Sequence, residues 1–154
     1  MPRLPKTTAR EAPENLGILL RESFRTMNEE VIERLAERGH GEVRYAHGNV
    51  FQYLDDAGTH VSVLAQRAQM TKQSMAQLVQ HLEQHGYVER VPDPADRRAK
   101  LVRTTDRGRE VFEIVREFAT ETDARLAERL GAAKVAQLRA LLTELGAALG
   151  EQPS

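Results

Sequence analysis

Apolar residues recur at steps of three and four through most of this chain, and that spacing lays out its elements. Between Glu14 and Arg38 they fall at Leu16, Leu20, Phe24, Met27, Val31 and Leu35, one face of a long helix. Gly39-His40-Gly41 ends it. A second helix is predicted from about Tyr45 to Ala57, with Val50, Phe51 and Leu54 inward and Gly58 as its stop. Ser62 is the expected N-cap of a short helix, Val63 to Ala68, that buries Leu64 and Ala65. Thr71 caps the next, which runs to His85 with Gly86 beyond it. Two short helices joined this tightly are a helix-turn-helix candidate.

After Gly86, Tyr87 to Val91 and Lys100 to Thr104 read as two short strands, joined by a Pro- and charge-rich turn from Pro92 to Ala99. Thr105 caps a helix carrying Val111, Val115, Phe118, Leu126 and Leu130 and ending at Gly131. A last helix is expected from about Ala132 to Leu149. Its Val135, Leu138, Leu142, Leu145 and Leu149 have the period of a coiled-coil seam, with no obvious partner inside the protomer. Residues 1–13 hold three of the six prolines and read as a loose arm.

Composition narrows the chemistry. The 154 residues are 40% hydrophobic and 29% charged, which fits one ordinary globular domain or two small ones. With 5% aromatic residues, no Trp and an abundance of helix formers, a mainly α protein is expected. The absence of Cys excludes disulfides, thiolate zinc sites, Cys nucleophiles and thiol redox sensing. No apolar run approaches the ~18 residues of a membrane span, and Met1 to Pro13 carries no apolar signal segment. The expected compartment is the cytosol. The net charge of −1 hides an uneven distribution. Residues 59–109 carry nine basic against five acidic side chains, while 14–58 carry five against nine and 110–154 five against eight. A basic middle suits a polyanion; the alternative is chance variation over short windows.

On a helical wheel, Met75, Leu78, Val79 and Leu82 share one side of the helix after Thr71, and Gln73, Gln77, Gln80 and Gln84 lie opposite. A stripe of neutral amides suits base edges, because Gln pairs its carbonyl and amide with adenine N6 and N7. The alternative is a solvated face that happens to be rich in Gln. At the hairpin tip, Arg97 and Arg98 would project guanidinium groups of the kind that narrow minor grooves and phosphates attract. Asp96 is placed to brace an Arg through a charge-assisted hydrogen bond. Arg67, Lys72, Arg90, Lys100 and Arg103 are spaced to meet phosphates on either side.

These residues resemble a known family. Leu64-Ala65, Thr71-Lys72-Gln73-Ser74, Leu82-Glu83 and Gly86-Tyr87-Val88 run into Asp93-Pro94-Ala95-Asp96-Arg97-Arg98-Ala99-Lys100 and then Thr104-Thr105-Asp106-Arg107-Gly108. The pattern is similar to the winged helix-turn-helix of the MarR (multiple antibiotic resistance regulator) family. The resemblance implies a mainly α fold: a three-helix core with a two-stranded wing, and N- and C-terminal dimerisation helices. Residues 14–58 would supply the N-terminal helices, 59–104 the DNA-binding lobe and 105–150 the C-terminal dimerisation helices. It also implies a homodimer on a pseudo-palindromic operator in double-stranded DNA, usually as a repressor. Recognition helices would then sit about one DNA turn (~34 Å) apart. By the same resemblance Thr71, Lys72, Gln73, Ser74, Gln77, Gln80 and His81 face the major groove. Asp96 and Arg98 match the family's wing, whose Arg reaches the minor groove, with Arg97 and Lys100 beside them. The seam from Val135 to Leu149 would join two protomers.

Many members of the family bind a small, often aromatic and anionic, effector between the dimer helices and the DNA-binding lobe. Candidates here are Arg21, Phe24, Arg25, His47, Phe51 and Tyr53. The alternatives are core packing for Phe24 and Phe51, and ion pairs with Glu22 or Glu29 for the two arginines. The family's redox-sensing branch needs a Cys and its urate-responsive branch a Trp; this chain has neither. Of the five histidines only His81 and His85 have a metal-like i, i+4 spacing, which a helix C-terminus or a phosphate explains more simply. No cofactor is implied. With no phosphate-binding Gly loop and no Gly-x-Ser-x-Gly, an enzyme is not expected. The remaining alternative is a helical protein-interaction module whose winged lobe is only a scaffold.

Overall fold

Asn15 begins the first helix by accepting the Ile18 N–H on its side chain at 3.0 Å, and α1 runs from Leu16 to Glu37. The computed structural model describes residues 15–150, so the arm expected over 1–13 lies outside the described residues. A 3-10 turn (Tyr45–His47) leads into the short α2 (Gly48–Phe51), followed by α3 (Val61–Arg67) and α4 (Lys72–Gln84). Strands β1 (Val88–Pro92) and β2 (Lys100–Thr104) form an antiparallel hairpin that pairs Val88 with Thr104 and Pro92 with Lys100. Helices α5 (Asp106–Leu130) and α6 (Ala132–Gly150) complete a mainly α winged helix-turn-helix. Among the described residues no helix is long and apolar enough to cross a membrane.

The second helix is shorter than its apolar spacing predicts. It stops at Phe51 instead of Ala57, because the following backbone groups find tertiary partners. The Tyr53 carbonyl accepts from Arg67 at 2.8 Å, and the Asp55 N–H donates to Thr59 Oγ1 at 2.9 Å. Gly58, at φ +103, presses against the wing; a Cβ there would lie 2.9 Å from Leu101 Cβ. Thr59 then exchanges two 2.9 Å backbone hydrogen bonds with Val102, adding a bridge beside the hairpin. This anchoring also starts α3 at Val61, two residues before the predicted Val63. His60, not Ser62, stands at its N-cap, and its carbonyl accepts from Val63 and Leu64.

One core joins the C-terminal half of α1, the first half of α5, the helices between them and the inner residues of the hairpin. Leu64, Met75, Val79, Leu82, Tyr87 and Val102 are fully enclosed in it. The Thr105-x-x-Gly108 step fastens α5 to the lobe. Thr105 Oγ1 donates to the Gly86 carbonyl at 2.6 Å and accepts the Gly108 N–H at 3.2 Å. Gly108 approaches so closely that a Cβ would sit 2.3 Å from the Tyr87 carbonyl oxygen. No side chain fits there.

Candidate nucleic-acid interface

Helix α4 presents the two faces its sequence predicts. Met75, Val79 and Leu82 are buried, while Gln73, Gln77, Gln80 and Gln84 are exposed. Among the described residues none of these four amides has a hydrogen-bond partner, so the stripe is available to an outside ligand. Thr71 is engaged in the cap: its hydroxyl oxygen accepts the Ser74 N–H at 3.1 Å and its proton goes to Ser74 Oγ at 2.8 Å. Lys72 stands exposed in the first turn. His81 differs from the other recognition-helix candidates. It is half-buried, turned toward the segment before α2, and its Nε2–H donates to the Glu42 carbonyl at 3.2 Å.

The wing tip is held by aspartates. Asp93 Oδ1 accepts the Ala95 N–H at 2.8 Å, and its Oδ2 meets His60 Nε2 at 2.8 Å. Asp96 braces Arg98 through the backbone: its Oδ1 accepts the Arg98 N–H at 3.0 Å. The guanidinium pairing expected from sequence is absent among the described residues, which leaves the Arg97 and Arg98 side chains exposed and unpaired at the tip. Lys100 is exposed at its base.

The three flanking arginines are placed differently. Arg67 pairs with Asp55 at 3.0 Å, Arg90 with Glu83 at 3.3 Å and Arg103 with Glu89 at 2.7 Å. Each guanidinium therefore has a carboxylate that a phosphate would have to share or displace. Periodicity could not reveal this, because none of the three pairs lies at helical spacing.

A cavity of about 300 Å³ opens between α1, the Tyr45–Phe51 segment and α5. Its wall is mostly aliphatic and aromatic, with Asn28, Arg44 and Gln52 as polar exceptions. Of the six effector candidates only Phe51 lines it. Arg21 and Arg25 lie on the exposed side of α1, paired with Glu22 and Glu29. Phe24 meets Tyr45 edge-on at 5.6 Å, Tyr53 packs on the core, and His47 points toward α4. Sequence reasoning missed Asn28, Arg44, Tyr45 and Phe112, which line the cavity from three separate elements.

Residues 43–99, from the turn before α2 to the wing, match the sequence pattern of the MarR family. That segment, a little over a third of the chain, is where the likeness in sequence to the MarR family lies. A curated relative, the transcriptional activatory protein BadR of Rhodopseudomonas palustris, is 38% identical over 58 residues. That match covers 38% of this chain and 33% of BadR, so the chain spans about a third of its relative. The fold likeness reaches further. The reduced form of E. coli MarR superposes with a TM-score of 0.71 at 23% identity, covering 87% of this chain and 98% of that one. A MepR mutant of S. aureus bound to an oligodeoxyribonucleotide gives 0.61 at 22% identity, with 88% and 99% covered.

Within this winged helix-turn-helix fold, a polar knot ties the lobe to α5 and explains a second part of the motif. Tyr87, wholly buried, donates its phenol proton to Glu42 at 3.2 Å, and its oxygen accepts from Arg107 at 3.1 Å. The Arg107 guanidinium also lies 4.6 Å from the Tyr87 ring centroid. Burial raises the Tyr87 pKa, so the phenol stays protonated as a donor. Tyr87 and Arg107 both stand in motif segments, but their meeting across the fold was not foreseeable from either.

Among the described residues, exposed apolar side chains gather on the terminal helices. Every seam position of α6 is exposed or half-exposed, and α6 has no buried residue. Leu16, Leu19, Phe24 and Met27 on the first half of α1 are exposed as well. Where α1 and α5 do meet, Arg34 pairs with Glu121 at 2.9 Å, Arg38 with Glu117 at 3.3 Å and Arg125 with Glu30 at 2.5 Å.

Proposed function

We propose that this protein is a homodimeric, sequence-specific DNA-binding transcription regulator, a repressor released from a pseudo-palindromic operator by a small effector. The observation that carries the reading is the pairing of two exposed, unengaged features. One is the amide stripe of Gln73, Gln77, Gln80 and Gln84; the other is the Arg97–Arg98 tip with its Asp96 brace. Amides suit base edges in a major groove, and a projecting guanidinium suits a minor groove. Lys72 and Lys100 are the exposed cations best disposed for phosphates; Arg67, Arg90 and Arg103 would contact them by exchanging carboxylate partners. The oligodeoxyribonucleotide bound by the MepR mutant supports the same reading. A second copy of the chain is the proposed cover for the seam and the exposed half of α1, since a stripe of this period left in water is unfavourable. The cavity at Phe51 is the proposed effector site, suited to a small apolar or aromatic molecule.

The test is fluorescence anisotropy with duplex DNA from the region upstream of the protein's own gene, beside a scrambled duplex, through a salt series. Operator preference with affinity falling by orders of magnitude between about 50 and 200 mM salt is expected. Arg98→Ala should weaken operator binding at least tenfold with helicity and assembly unchanged. No binding at low salt would favour the interaction-module alternative. A reporter under the same operator fixes the sign of regulation, which matters because BadR is an activator.

A further inference from the structure

Two histidines that the sequence points toward different ligands touch each other. His47, a candidate for the effector, and His81, a candidate for DNA, stack nearly parallel with ring centroids 4.6 Å apart and planes at 14°. We infer that this stack is the contact through which a filled cavity moves the recognition helix, a reading that rests on the effector site proposed above.

The Tyr45–Gly48 turn has two sides. Arg44, Tyr45 and Gly48 form part of the cavity wall, while His47 points the other way, with 4% of its surface exposed. His47 is rigidly attached to its own turn, because its Nδ1 accepts the Arg44 N–H at 2.8 Å. A displacement of the wall at Arg44 or Tyr45 therefore carries the imidazole with it. On the far side, His81 is fixed at two points. Its Nε2–H donates to the Glu42 carbonyl at 3.2 Å, and His85 lies against it at 4.4 Å between centroids. Segment 42–47 is thus fastened to α4 on both sides of Val43, which is itself buried and lines the cavity. His81 follows Gln80 directly and lies one turn beyond Gln77, so a push on its ring reaches the middle of the amide stripe through a stiff helix. Close-packed contacts transmit such a shift because they cannot absorb it by compression. Neither histidine then needs to touch effector or DNA; both are positioning residues.

The experiment uses the full chain, with 1-anilinonaphthalene-8-sulfonate as the cavity probe and Val31→Phe as a built-in occupant. Two quantities are read: amide and imidazole NMR shifts along residues 77–85, and operator affinity by anisotropy. In the wild type, probe or Val31→Phe should shift those resonances and weaken operator binding about fivefold or more, the lower end of ordinary allosteric coupling. His47→Leu should keep probe affinity and probe-free operator affinity within about twofold, while the probe's effect on DNA falls below twofold. His47→Phe, which restores a stacking ring, should restore the effect. If His47→Leu does not fold, His81→Leu makes the same test from the other side. A probe effect unchanged in the Leu variants would overturn the inference. So would residues 77–85 that respond to neither probe nor Val31→Phe. Resonances that move in a protein with no operator binding would overturn the DNA-binding reading and leave the coupling standing.

Discussion

Helices α4 and α6 carry apolar residues at the same three-and-four spacing, yet Met75, Val79 and Leu82 are 0% exposed while Leu138, Leu142 and Leu149 are 46, 43 and 76% exposed. The spacing does not separate them; the neighbours do. Helix α4 packs against α3, the α2 segment and β1, whereas α6 packs against α5. The winged lobe's core is closed within one chain, with Leu35 of α1 and Val111 and Ile114 of α5 completing it. The terminal helices hold a surface of similar quality that one chain leaves open. At about 25 cal/mol per Å² of apolar area, such a surface favours covering by another molecule. The lobe's core is complete within the protomer, while α6 and the start of α1 keep apolar side chains exposed.

Removing core from the lobe should give the largest effect. Leu82→Ala is expected to cost about 2–5 kcal/mol and to lower the Tm of the lobe equally at all protein concentrations, as checked by calorimetry. A Tm loss that vanished at high concentration would mean that the lobe, too, depends on a partner. The complementary change is Leu138→Glu with Leu142→Glu. Sedimentation should then show a monomer and operator affinity should fall at least a hundredfold, while α4 and the wing keep their amide shifts.

Acid should distinguish the two regions next. Burial first, then the neighbouring His81 and Arg44, lower the His47 pKa from 6.5 to about 4. Burial lowers that of His40 as well. The unfolded chain therefore takes up these protons before the folded one does. The stability from keeping His47 neutral is complete above about pH 7 and is lost as pH falls from 6.5 towards 4, by at most about 3 kcal/mol. Urea midpoints at pH 7 and pH 5 check this, and His47→Leu should flatten the difference. The smallest effect is expected at the exposed Arg103–Glu89 pair, where Arg103→Ala should change stability by less than about 1 kcal/mol. A larger loss would make the wing's ion pairs part of the lobe's own stability.

Much of this molecule was written in short-range chemistry. Thr71 and Thr105 cap helices because a hydroxyl three residues before a free N–H can reach it, and Asn15 does the same in α1. The two faces of α4, the paired strands with Asp96 and Arg98 between them, and the apolar stripe of α6 (though not its exposure) all follow from local period and local turn chemistry. Three things did not. Helix α2 ends at Phe51 because Gly58 meets Leu101 and Thr59 meets Val102, partners more than forty residues away. The cavity exists only where α1, the turn before α2 and α5 converge, so its wall could not be listed from any one of them. His47 and His81 came to share a contact instead of serving two ligands for the same reason. Hydrogen bonds within a turn are determined by the few residues that make it, whereas a side chain's neighbour across the core is decided only when the whole chain has packed.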